Sequence, residues 1–186
     1  MLFGRMSKNA YWLAEMLELP ETRAAELRDP LQSMLTFEQL VFSRWVQVMV
    51  RFEQAMYSDP DQDLNALWWK LVERYQSLQA PAKRDRPDYA SKYHVAMAPV
   101  YYHNYLLGEL MASQVHDYIA QNIVHQADVW QVTYVGRRDV GEYLRTRIFE
   151  PGALYGWNEL IRHATGEPLS PRAFAAQFVQ GSGTTP

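Results

Sequence analysis

The sequence contains no cysteine. Disulfides, thiolate metal sites and cysteine nucleophiles are therefore excluded. Histidine is scarce, with five residues: His94, His103, His116, His125 and His163. No two of them are four apart, so the HExxH zinc-hydrolase pattern, which sets two imidazoles one helical turn apart with a glutamate base between them, is missing. GxSxG, a glycine-rich phosphate loop, internal repeats and low-complexity blocks are also missing. There is no basic run or stripe, and the net charge of −3 argues against nucleic acid as the main partner. The opening MLFGRMSKN turns polar too early for a signal peptide. The longest apolar run, near residues 95–112, is interrupted by His103, Asn104, Gly108 and Glu109, so no membrane span is expected.

What is present is apolar and aromatic. Hydrophobic residues make up 48% of the 186 residues and charged residues 21%, which fits a globular domain with a real core. Helical periodicity runs through most of the chain. Residues 1–18 read as one helix and residues 21–28 as a short one stopped at Asp29-Pro30. Thr36 with Gln39 is a capping-box signature, opening a helix to about residue 57. On it Phe37, Val41, Trp45, Val48, Phe52 and Met56 form one apolar stripe, read as core. Residues 64–78 form the next helix, whose Trp68-Trp69 pair also reads as core; a charged, proline-bearing connection comes after it.

The organising stretch is KYHVAMAPVYYHNYLLGELMASQVH, with Pro99 placed to begin a buried helix over residues 99–126. Tyrosine, histidine and asparagine on a central helix need partners, which is the first hint of a site. Tyr101 and Tyr102, being adjacent, cannot share one helical face, so at least one is expected to pack. Residues 129–136 read as an ordered loop or short strand. Helices are expected over 139–150, 156–165 and 170–179. The expectation is an all-α domain over residues 1–180 with a frayed tail at 181–186.

Within Trp68 to Val95, WWKLVERYQSLQAPAKRDRPDYASKYHV resembles a segment of the angiotensin-converting-enzyme family of zinc dipeptidyl carboxypeptidases. There a tryptophan pair is followed by a basic-Tyr-Gln run, prolines, an Asp-aromatic pair and Lys-aromatic-His. Trp68, Trp69, Tyr75, Gln76, Leu78, Pro81, Arg84, Asp88, Tyr89, Lys92, Tyr93 and His94 match in that order. The later VGEYLRTRIFEPGALYGWNELIRHATGEPLSPRAF resembles closing helices shared with thimet-type oligopeptidases, and MLFGRMSKNAYWL resembles the segment just after the third zinc ligand in bacterial members.

The resemblance implies the C-terminal, substrate-binding part of a zincin-type peptidase with a long central buried helix. Lys92 would hold the terminal carboxylate of a peptide. His94 would hydrogen-bond its backbone near the scissile bond, and Tyr105 would stabilise the oxyanion, with one residue inserted between the two. Tyr102 would share the carboxylate in that register, whereas an ungapped one selects Tyr101. The resemblance assigns no metal ligand to these residues: the HExxH helix and the glutamate ligand belong to the preceding part of the family's enzymes. Zinc is thus expected only in a full-length enzyme, and this chain alone is expected neither to hold it nor to release dipeptides. Two arginines that bind chloride in animal members are replaced by Val72 and Asn104. The expected partners are a peptide with a free carboxylate, the missing N-terminal half, and a second copy covering apolar faces of the N-terminal helices. The alternative is a non-catalytic helical binding or interaction domain derived from the same scaffold.

Overall fold

The computed structural model describes residues 1–179. The tail expected at 181–186 lies outside the described residues. Nine α-helices occur among those described: α1 Leu2–Met6, α2 Ala10–Met16, α3 Glu21–Ser58, α4 Leu64–Gln76, α5 Tyr93–Ala96, α6 His103–Ile119, α7 Arg138–Leu144, α8 Trp157–Thr165 and α9 Arg172–Phe178. The described residues contain no strand, so the fold is all-α as expected. None of their helices is long and apolar enough to cross a membrane.

The chain divides into two compact units, one made of Met1–Phe37 with Gly108 onward and the other of Glu38–Leu107. The division falls inside α3 and α6. The first unit is built round Val115 and Ile119 of α6 and Val140 and Leu144 of α7. The buried polar residues of α6 there, Glu109, Ser113, Gln114 and His116, are partnered. Gln114 donates to the Thr165 hydroxyl (2.9 Å) and accepts from the Ser170 N–H (2.9 Å), tying α6 to the end of α8 and the start of α9. Arg5 and Glu109 form a buried ion pair, their side chains 6% and 12% exposed.

His116 lies buried in the same unit. Its Nε2 is 2.9 Å from the Val129 carbonyl, which can only accept, so Nδ1 accepts from the Tyr134 hydroxyl at 2.5 Å. Burial, reinforced by the Arg5 charge, holds the imidazole below its ordinary pKa of 6.5, against the opposing pull of the Val129 bond. Unfolding therefore lets His116 take up a proton where the folded chain keeps it neutral. Stability is expected to fall as pH drops below about 6.5. Urea midpoints measured from about pH 7 to about pH 5.5 check this. The non-titrating His116→Gln variant should lack that component of the slope, and equal slopes would rule the assignment out.

The second unit is built round α3 and α4. Val48, Met49, Phe52, Trp68 and Val72 are buried, with Phe52 and Trp68 in edge-to-face contact at 5.2 Å. The stripe on α3 is core where it meets α4, whereas Phe37 and Val41 at its other end are exposed. Helix α4 starts on Asp63, whose carboxylate accepts from the Ala66 N–H, and stops at Ser77 in the left-handed conformation.

Several boundaries differ from those the local sequence suggests. Residues 1–18 are two helices, because Asn9 leaves helical geometry. Its Oδ1 accepts from the Tyr11 and Trp12 N–H groups (3.0 Å each) while its Nδ2 donates to the carbonyls of Trp130 and Val132. Pro30 does not stop a helix. It lies inside α3 on an exposed face, where water can satisfy the carbonyl it leaves unpaired, so the Thr36 capping signature is unused. The central helix starts at His103, not Pro99, and continues past Ile119 as a π-helical turn, Ala120–Val124. The helix expected over 139–150 likewise passes from α7 into a π-helical turn, Arg145–Phe149. Residues 129–131 form a 3-10 turn capped by Asp128.

Candidate functional site

The site residues suggested by the sequence lie in the second unit, on the connection between α4 and α6 and in the first turn of α6. Arg84 pairs with Asp88, and its hydrogen bonds hold the Asp88 carboxyl below the usual range. Asp88 opens a 3-10 turn, Asp88–Ser91, and Tyr89 packs on Phe52 at 4.8 Å. This anchors the chain just before Lys92, which is extended (φ −83°, ψ 117°) and leads into the single turn of α5 that carries His94.

His94, Tyr101, Tyr102 and Tyr105 converge. His94 Nε2 and the Tyr105 hydroxyl are 2.9 Å apart, within hydrogen-bond distance. The imidazole meets Tyr102 edge-on at 4.8 Å and stacks on Tyr101 at 6.2 Å. Tyr102 and Tyr105 are themselves 5.1 Å apart. Both members of the Tyr101-Tyr102 pair reach His94, because they lie in the turn before α6 and the restriction to one helical face does not apply to them. They differ in burial. Tyr101 is 49% exposed, whereas Tyr102 is half-buried and burial pushes its phenol pKa up.

Trp45 joins this cluster to Lys92. Its indole N–H donates to the Tyr102 hydroxyl at 2.9 Å, and the Lys92 ammonium lies 5.6 Å from its ring centre. The same ammonium is 5.9 Å from the Trp68 ring, so it is carried on two aromatic faces. Among the described residues Lys92 has no hydrogen-bonded acid, and it borders a cavity of about 340 Å³ lined by Trp45, Trp68, Trp69, Arg84, Asp88 and Ser91 among others. Trp68 is core, 2% exposed, as the sequence suggested. Trp69 carries a buried indole N–H without a hydrogen bond of normal geometry, although its proximity helps to lower the Asp88 pKa.

Chemically the cluster offers a hydroxyl donor at Tyr105, an imidazole at His94 able to donate or accept, and a cation at Lys92. These are groups that grip and polarise an amide carbonyl and a carboxylate. They do not make a metal centre. Among the described residues no three histidine, aspartate or glutamate side chains are grouped to hold an ion. Val72 is buried apolar core.

Sequence reasoning missed two residues here. In the sequence Trp45 is one member of an apolar stripe. Glu53, 4% exposed on α3, accepts from the Val100 N–H at 2.8 Å in the turn that carries Tyr101 and Tyr102. The available signal was an acidic residue set between Phe52 and Met56, eight residues from Trp45 and so near the same helical face.

Residues 35–179 match the sequence model of the peptidase family described as angiotensin-converting enzyme. An angiotensin-converting enzyme-like protein of Mus musculus is 28% identical over 117 residues, 61% of this chain and 16% of that protein. The angiotensin-converting enzyme of Sus scrofa is 26% identical over 125 residues (63% and 9%), and that of Rattus norvegicus 27% over 109 residues (58% and 8%). The chain thus matches at most about a sixth of these relatives' length. The family match covers well over half of the chain, and the chain belongs to the angiotensin-converting enzyme family of peptidases.

Proposed function

We propose that this chain is the substrate-gripping part of a zinc peptidyl-dipeptidase, holding the C-terminal end of a peptide and inactive by itself. The observation that carries the proposal is the convergence of His94 and Tyr105 at 2.9 Å beside a lysine that has no hydrogen-bonded acid among the described residues. Lys92 takes the terminal carboxylate, and Tyr101 or Tyr102 adds a hydroxyl. His94 binds the peptide backbone, and Tyr105 donates to the carbonyl oxygen as negative charge develops on it. In the complete enzyme the metal and the glutamate base come from outside these residues. A non-catalytic helical binding or interaction domain is the second reading, favoured by the lack of a metal-competent group among the described residues.

The test is calorimetric binding of a tripeptide with a free C-terminal carboxylate, set against its amidated form. The free acid should bind more tightly, and Lys92→Ala should remove the difference. A charge-assisted hydrogen bond contributes about 1.5–3 kcal/mol, so the expected loss is roughly tenfold to a hundredfold in affinity. If the acid and the amide bind alike, the carboxylate role of Lys92 is wrong.

A further inference from the structure

The turn between α5 and α6 contains a conformation that its own residues do not favour. Val100 has φ +56°. In the left-handed region the Cβ crowds the following carbonyl, and a β-branched residue there is an outlier. Such a conformation persists only where the surroundings hold it. Side-chain packing does not explain it, since Val100 is 63% exposed. The hold is on the backbone: the Val100 N–H donates to Glu53 Oε1 at 2.8 Å, and that carboxylate is buried. A second tether comes from the same helix, where Trp45 donates to Tyr102. Shortly after Val100, α6 begins at His103, and Tyr105 in its first turn meets His94.

We propose that Glu53 is a positioning residue: by holding Val100 in the left-handed conformation it aims the start of α6, so that Tyr102 and Tyr105 converge on His94. It touches none of the groups assigned to the peptide and acts through the turn. The importance of that convergence for peptide binding rests on the proposed peptide-gripping function, but the geometry itself can be tested separately.

The experiment uses the full chain with tyrosine ring carbons labelled for NMR, Tyr102 and Tyr105 being assigned by Tyr→Phe variants. Glu53→Leu should move both tyrosine signals toward those of exposed tyrosines and remove the protection of the Val100 amide from hydrogen exchange. Glu53→Gln keeps an acceptor oxygen and should retain the wild-type signals. Adding Val100→Gly to Glu53→Leu should restore them in large part, because glycine adopts positive φ without the Cβ clash. Free-acid tripeptide affinity should follow the tyrosine signals, falling about tenfold or more in Glu53→Leu. Unchanged Tyr105 and Tyr102 signals in a folded Glu53→Leu chain would overturn the proposal. If that variant does not fold, the wild-type chain decides: a Val100 amide that exchanges as fast as an unstructured one overturns it, and a protected one supports the tether. A wild-type chain that binds no tripeptide counts against the proposed function alone, since the NMR signals still report on Glu53.

Discussion

Replacing Glu109 with alanine is expected to destabilise the first unit by about 3–5 kcal/mol, because it strands the charge of a buried arginine. Arg5 Nε and Nη2 both donate to Glu109 Oε2, at 3.0 and 2.5 Å. Nη2 also donates to the Glu109 carbonyl (2.9 Å) and Nη1 to the Ser113 hydroxyl (2.7 Å), while the guanidinium lies 5.1 Å from the Phe178 ring centre. Burial pushes the Arg5 pKa down and the Glu109 carboxylate opposes that shift. Without the carboxylate, the desolvation cost remains and the main compensation is lost. The double change Arg5→Met with Glu109→Leu removes the cost together with the attraction. It should recover most of the stability, since apolar replacements of whole buried pairs are often neutral or better. Denaturant unfolding of the wild type, Arg5→Met, Glu109→Leu and the double variant closes the cycle, with Glu109→Ala measured beside them. A Glu109→Ala cost below about 1 kcal/mol would show that the pair is effectively solvated.

Placed in a metal-complete family enzyme, Tyr105→Phe is expected to lower kcat by roughly a hundredfold to a thousandfold, the usual cost of removing one oxyanion donor. KM should change little. In the proposed role the hydroxyl stabilises charge that exists only in the transition state, and the ring that packs against His94 and Tyr102 is retained. The hydroxyl lies 2.9 Å from His94 Nε2 on a half-buried residue. A chimera carrying residues 35–179, assayed for dipeptide release, provides the kcat and KM needed. If kcat is unchanged, or if the loss falls on KM alone, Tyr105 is a packing residue and the oxyanion role passes elsewhere.

The candidate site was legible to different depths. Lys92, His94 and the tyrosines after them could be proposed because they are close in sequence and the resemblance to the family points to them. Their convergence round His94 was not predictable from helix periodicity, which put Tyr101 and Tyr102 on different faces of a helix that starts only after both. Trp45 and Glu53 were hidden for another reason. Each acts on a residue about fifty positions away, and nothing local distinguishes a tryptophan that packs from one that also donates a hydrogen bond.

By itself the sequence determined the helical class, the polar start of α4 at Asp63 and the stop of α8 at Gly166, since periodicity, capping and left-handed termination each act within a few residues. Only the tertiary structure decided where those local preferences are overridden. Asn9 breaks the first helix because carbonyls more than 120 residues away take its amide group. Pro30 is carried through α3 because its face is exposed. The central helix waits until His103 because a buried carboxylate on α3 holds Val100 where valine does not sit unaided. In each case a contact or an exposure that exists only in the folded chain outweighs a local preference of about 1–3 kcal/mol, and so changes the element that forms.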